Sequence, residues 1–338
     1  MGEIKTESWM KRRLVNLKGV LKSDKIGLII ALIAIIVVFQ VLTGNKFFTG
    51  KNVINILIAS SIVGLVTIGE SFLLISGQVD LSPGSVAAFS GVMVALLLSS
   101  GMSMWIAIPI VIVCGMIIGF INSLLVTKLK FEPFIATLAT MSVFRGLAYI
   151  LCEGRAIFVT NDKFLKLGAG RIWGIPIPVI IFFVMFLFFI IVSSKTRFGR
   201  SVYMIGGNAN AARLAGINAF WVRSRLYILT SALAALGGII LAARMSTGQP
   251  SASVGLEFDA VTAVVLGGVA MSGGIGTLSG SLIGLFIMQA FNNGLMMVNV
   301  QSFWQTVARG VLLIAALSFD YIRNRQREAK EKQSLPQN

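Results

Sequence analysis

The sequence predicts an all-α, polytopic membrane protein with about ten transmembrane helices and both termini cytoplasmic. Three observations lead there. Of the 338 residues, 56% are hydrophobic and only 12% are charged, against about 25% charged in an average soluble domain. The mean hydropathy is +0.87. Apolar residues also fall into runs close to the roughly 20 needed to cross a bilayer core about 30 Å thick. A soluble globule keeps a polar exterior even around a large core, so this much apolar surface has to meet lipid. The same composition excludes disordered, collagenous and coiled-coil classes.

The elements follow in order. A basic tail, 1–25, precedes the first apolar run at 26–42. No cleavage site of the A-x-A type follows it, so the run reads as an anchor. Further runs lie at 53–76, 84–100, 104–126 and 133–152. A mixed polar connection, 153–172, carries Asn161 and Asp162 and precedes the run at 173–194. The connection 195–225 contains no acidic residue. Runs at 226–243, 258–272, 275–298 and 303–319 complete the set, followed by a polar tail, 323–338. Residues 26–322 therefore form one membrane domain, with no room for a separate soluble one. The run at 258–272 is the shortest in apolar content, ending in Gly273-Gly274-Ile275-Gly276. A half-helix or re-entrant segment is the alternative there, since irregular backbone is tolerated at membrane depth where protein buries it.

Charge placement orients the chain. With ten spans and cytoplasmic termini, 20 of the 29 Lys and Arg residues lie inside and seven outside, while Arg145 and Arg309 sit within apolar runs. This is the positive-inside pattern. The net charge of +16 is then an orientation signal whose nearest partner is anionic membrane lipid, and not a nucleic-acid footprint.

Absences narrow the chemistry. There is no histidine, which excludes His-based acid–base catalysis, Ser-His-Asp triads and His-ligated metals. Cys114 and Cys152 lie inside apolar runs and read as small buried hydrophobes. No phosphate-binding loop is present. The nearest string, Gly44 to Asn52, has the wrong glycine spacing and lacks the Ser or Thr that holds the magnesium ion. Gly274-Ile275-Gly276 fails as a dinucleotide fingerprint because its third glycine is one residue late. The chain is expected to be no enzyme and to hold no metal or cofactor of its own.

Polar side chains inside apolar runs are costly unless they are paired or face water, so they are candidates for function. Glu70, Gln78, Asp80, Ser82, Ser85, Thr137, Asp259 and Asn292 are the candidates for a solute pathway. Arg145, Arg309, Asn122 and Asn293 share the apolar setting, with Arg145 expected to pair with an acid. Ser82 suits the cap, and Pro83 the first turn, of a helix starting near membrane depth. For Asp80 two readings stand: a polar pathway lining, or a structural knot that accepts backbone N–H bonds. Gly115/Gly119 and Gly280/Gly284 have the small-xxx-small spacing that lets helices approach closely.

Within 195–225, Asn208 or Asn210 can cap a short helix that Gly216 ends. Ala211, Leu214 and Ala215 give it a small apolar face. A knob for a partner's groove and an interfacial helix on the membrane both fit.

Four stretches in order resemble one family. Gly199 to Asn208, followed by Ala211-Ala212-Arg213-Leu214 and Gly216-Ile217, looks like the coupling loop of sugar-type ABC transporter permeases. Ile75 to Ser85 resembles that family's Gly-Gly-x-Asp-Leu-Ser-x-Gly-Ser motif, with Gln78 standing where a glycine is usual. Pro133 to Leu138 with Arg145-Gly146, and Phe258 to Thr277, resemble two further motifs. The resemblance implies the membrane-spanning subunit of a binding-protein-dependent importer for a monosaccharide, with autoinducer-2 or a nucleoside as the alternative cargo. It implies three partners: a separate ABC ATPase subunit, an extracytoplasmic solute-binding protein and a second permease copy. The ATPase would dock through Gly207, Asn208, Ala211, Ala212, Arg213, Leu214, Gly216 and Ile217. A self-sufficient secondary transporter or channel remains the rival.

Overall fold

A computed structural model describes residues 24–334; most of the basic tail 1–25, and residues 335–338, lie outside the described residues. The backbone is helical almost throughout. The first helices are α1 (Asp24–Leu42), α2 (Gly50–Ile75), α3 (Pro83–Ser99), α4 (Met104–Ser123), continued by a π-helical turn (Leu124–Lys128), and α5 (Pro133–Leu151). Next come α6 (Asp162–Ala169), α7 (Ile177–Lys195), α8 (Arg197–Gly207) and α9 (Ala209–Leu214). The series closes with α10 (Ala219–Met245), α11 (Leu256–Leu266), α12 (Leu278–Met297) and α13 (Ser302–Ser334). Among the described residues the strands are two-residue pairs: β1 (Ile157–Phe158) with β4 (Thr247–Gly248), and β2 (Arg171–Ile172) with β3 (Ile175–Pro176).

Among the described residues, six helices are long and apolar enough to cross a membrane: Gly50–Ile75, Met104–Lys128, Pro133–Leu151, Ile177–Lys195, Ala219–Met245 and Ser302–Ile322. Ile26–Leu42 and Pro83–Ser99 are shorter apolar helices. Each of the ten expected runs falls on one helix, but the eighth is corrected. Residues 258–272 hold most of the 11-residue α11, about 16 Å long at 1.5 Å per residue, and then a glycine turn. The start of the sixth run is also corrected: residues 173–176 belong to the β2–β3 hairpin, with Trp173 at φ 51° and Gly174 at φ 81°.

The bundle centres on two helices packed against each other, α2 and α10, whose apolar windows are 78% and 72% buried. Around them the contacts obey an approximate two-fold relation. Helix α10 packs on α3 and α4, and α2 packs on α11 and α12. Helix α3 packs on α5, and α11 on α13. In each half a long helix ends and a non-helical stretch follows, residues 76–82 or 246–255. A shorter helix then runs back: α3 to the end bearing β1, α11 to the end bearing α8. The two short helices begin side by side, because a Cβ on Gly84 would stand 2.6 Å from the Ser253 carbonyl oxygen. The sequence carries the repeat faintly. Ser76-Gly77-Gln78, Ser82 and Gly84 match Thr247-Gly248-Gln249, Ser253 and Gly255. This is the arrangement of an inverted internal repeat.

Small residues set the closest crossings. A Cβ on Gly119 of α4 would stand 2.8 Å from the Ile228 Cα of α10, and one on Gly115 2.6 Å from the Ala235 Cβ. Gly280 and Gly284 of α12 lie in the same way against Gly267 and Ala263. Both small-xxx-small pairs are therefore packing features. Overpacking such a contact costs about 1–3 kcal/mol. Gly119→Ala is accordingly expected to lower the thermal midpoint of the detergent-solubilised protein. Gly146→Ala, whose Cβ meets nothing within 4 Å, is the control. Equal midpoints would show that the α4–α10 contact is not tight.

Candidate functional site

The break between α2 and α3 gathers most of the polar candidates. Glu70, on the last third of α2, and Asp80, Ser82 and Ser85 are all 0% exposed. The Ser82 N–H donates to Asp80 Oδ1 at 2.8 Å. Asn122 of α4 donates from Nδ2 to Ser82 Oγ at 2.8 Å and to Asp80 Oδ2 at 3.4 Å. The Asp80 N–H reaches Glu70 Oε2 at 3.5 Å. The Leu81 N–H donates to Oγ1 of Thr137, on α5, at 3.0 Å, and Thr137 is itself 0% exposed. Ser85 donates from Oγ to the Ser82 carbonyl at 2.7 Å. The expected capping role is corrected. Ser82 makes no side-chain cap bond; its hydroxyl faces Asn122, and Asp80 supplies the acceptor for the backbone. Pro83 does occupy the first turn of α3.

Arg145, on α5, is the second correction. Among the described residues it makes no close ion pair, although the Glu257 carboxylate acts on its charge from farther off; it donates from Nη1 to the Pro250 and Ala252 carbonyls at 2.7 and 2.6 Å. It thereby holds the second non-helical stretch as Asn122 and Thr137 hold the first. Asp259 is apart from the cluster, facing Arg309 of α13 at 3.8 Å. Asn292 is separate too, with its Oδ1 buried on α12 and no partner among the described residues. Gln78 lines a sizeable cavity. This space, about 350 Å³, is bounded by Gln78, Thr127, Lys130, Phe131 and Arg223 among others.

Sequence reasoning missed four residues here. Glu257, 3% exposed, has one carboxylate oxygen with no hydrogen-bond partner among the described residues. Arg223 donates to the Ser76 carbonyl at 3.4 Å. The Tyr227 hydroxyl donates to the Val79 carbonyl at 3.3 Å and reaches Gln78 Oε1 at 3.4 Å. The Tyr203 hydroxyl donates to the Gly276 carbonyl at 3.0 Å. The repeated Gly-Gln at 77–78 and 248–249 was the signal that could have directed attention to both breaks.

The connection 195–225 folds locally as its residues dictate. Thr196 caps α8, accepting from the Gly199 N–H at 3.1 Å. Asn208 caps α9 with bonds from the Asn210 and Ala211 N–H groups at 3.0 and 2.9 Å. Gly216, at φ 80°, turns the chain, and Asn218 caps α10. The face is uneven. Ala212 is buried at 1%, while Leu214 stands 86% exposed. Gly207, Asn208, Ala211, Arg213 and Gly216 are exposed, and Ile217 is half-buried.

Residues 52–317 match the family described as branched-chain amino acid transport system / permease component. This chain belongs to that permease family. The ribose import permease protein RbsC of Bacillus subtilis is 39% identical over 94% of this chain and 98% of its own length. The L-arabinose ABC transporter permease protein AraH of Azospirillum brasilense is 37% identical over 85% of each chain. The L-arabinose transport system permease protein AraH of Escherichia coli is 36% identical over 88% of this chain and 90% of its own. The permease is thus a multi-pass membrane transport protein and not a catalytic enzyme. The aligned stretch takes in both breaks and the α8–α9 connection.

Proposed function

We propose that the permease is the membrane-spanning subunit of an ATP-binding cassette importer that moves a monosaccharide across the cytoplasmic membrane. The observation that carries the cargo class is the near full-length similarity to ribose and arabinose permeases. Autoinducer-2 and nucleosides are the competing cargoes, and uptake of labelled sugars by reconstituted importer decides among them. About ten membrane passages, counting α1, α3, α11 and α12, with both termini cytoplasmic, complete the topology. The supports are the inside excess of basic residues and the six long apolar helices.

The exposed helix α9 is the docking point of a separate ATPase subunit. Its supports are Leu214 at 86% exposure and the rigid capping of both neighbouring helices. ATP binds to that partner, and the permease itself needs no cofactor. A solute-binding protein delivers cargo at the opposite face, where the β1–β4 and β2–β3 pairs lie. The apolar windows of α5 and α13 are only 22% and 6% buried. These faces are assigned to lipid and to a second permease copy. Gln78, beside the 350 Å³ cavity, is the best placed pathway residue. Glu70, Asp80, Ser82, Ser85 and Thr137 shape the pathway by fixing the break, and Asp259 and Asn292 are secondary candidates.

Leu214→Glu and Gly216→Val are expected to reduce co-purification of the ATPase at least tenfold while leaving membrane insertion unchanged. The first puts a charge into an apolar contact, and the second forces a β-branched residue into the left-handed region. Arg213→Ala is expected to weaken capture less. Undiminished capture by all three would rule out docking at α9. Uptake by vesicles holding this chain alone would favour a secondary transporter.

A further inference from the structure

Three stretches of main chain meet without intervening side chains where α8 ends. The Gly274 N–H, in the turn between α11 and α12, donates to the Ile75 carbonyl at the end of α2, at 2.8 Å. Gly206 of α8 lies against both groups. A Cβ on Gly206 would stand 2.5 Å from the Gly274 nitrogen and nearer still to the Ile75 carbonyl oxygen. A Cβ on Gly273 would stand 2.9 Å from the Gly206 oxygen and 2.9 Å from the Gly77 nitrogen. One on Gly274 would stand 2.8 Å from the Gly207 Cα. Two side chains tie the same layers: Tyr203 to the Gly276 carbonyl, and Arg223 to the Ser76 carbonyl. Helix α8 is anchored beneath by Val202 and Ile205, 0% and 2% exposed.

The junction stands between two sites already described. On one side, Gly206 is followed by Gly207 and by Asn208, which caps α9. On the other, Ile75 is three residues from Gln78, which lines the cavity with Arg223. Backbone packed on backbone has no rotamer to change. A shift of the α8 end is therefore passed to the partner strands instead of being absorbed. We infer that Gly206, with Gly273 and Gly274, forms a positioning junction through which displacement of α9 moves the Ile75–Gln78 segment and opens or closes the cavity beside it. This inference rests on the docking of an ATPase at α9.

The test uses the whole importer in proteoliposomes, with Cys114 and Cys152 replaced by Ala and Gln78→Cys as the reporter. Thiol labelling of the reporter is followed with and without a non-hydrolysable ATP analogue. In the parent complex the analogue is expected to change the labelling rate several-fold. In Gly206→Ala that response is expected to vanish while the ATPase stays bound. Gly146→Ala, distant from both sites and with nothing within 4 Å of its Cβ, is expected to keep it. If Gly206→Ala does not fold, Tyr203→Phe, which removes one hydroxyl and no volume, is expected to cut the response at least twofold. An undiminished response in Gly206→Ala, or in Tyr203→Phe where only that variant folds, overturns the junction, as does a loss that merely follows loss of bound ATPase. A parent complex that captures no ATPase defeats the docking reading instead. One that captures it yet shows no response to the analogue defeats the junction alone.

Discussion

Asp80→Ala is expected to lower the yield of folded, monodisperse permease by about tenfold or more, with uptake per folded complex reduced far less. Asp80 is 0% exposed and accepts from the Ser82 N–H and from Asn122 Nδ2. Removing the carboxylate strands the Ser82 N–H in a dry interior, at about 1–3 kcal/mol, and leaves Asn122 Nδ2 with only its bond to Ser82 Oγ. No water can replace the lost acceptor where neither Asp80 nor its partners meet solvent. Asp80→Asn retains a carbonyl oxygen for the Ser82 N–H and is expected to recover a large part of the yield. Yield is read by size-exclusion chromatography in detergent, and uptake by reconstitution of equal amounts of folded complex. The opposite pattern, full yield with uptake abolished, would make Asp80 a lining residue of the pathway.

Arg145→Leu is expected to abolish uptake and to lower the thermal midpoint. The guanidinium is the donor for both the Pro250 and the Ala252 carbonyls. Charge-assisted bonds of this kind contribute about 1.5–3 kcal/mol each, and a single Nη1 makes both. Without them the stretch 246–255 loses its tie to α5 and α11 loses its fixed starting point. Arg145→Lys keeps the charge on a point-like ammonium that lacks the planar fork, so partial rescue is expected. Uptake unchanged in Arg145→Leu would show that the second break is held by packing alone.

Much of the architecture follows from hydropathy and capping, and the departures have physical causes. The run expected at 226–243 begins earlier, at Ala219. Arg223 and Arg225 end the apolar pattern without ending the helix. Arg223 turns inward to the Ser76 carbonyl while Arg225 stays exposed. The run at 258–272 reads as apolar but is divided by Gly267 and Gly268. A Cβ on Gly267 would stand 2.5 Å from the Gly280 carbonyl oxygen, so these glycines serve a turn packed on α12. In the site, the pairing of Arg145 with an acid was expected from charge alone. Two carbonyls of a non-helical stretch proved the stronger demand, because buried backbone acceptors outside helices need donors of their own.

The sequence by itself determined that the permease lives in a membrane, roughly where its apolar helices lie, and which family it belongs to. Each of these rests on information local in the chain: an apolar run, a cap such as Asn208, a glycine such as Gly216, a motif. The tertiary structure alone decided what the intramembrane polar residues do. Arg145 meets its acceptors 105 and 107 positions away, Thr137 meets Leu81 across 56, and the Gly206 junction joins three distant stretches. Hydropathy is a sum along the chain, whereas the burial and pairing of a polar group depend on which segments the fold brings against it.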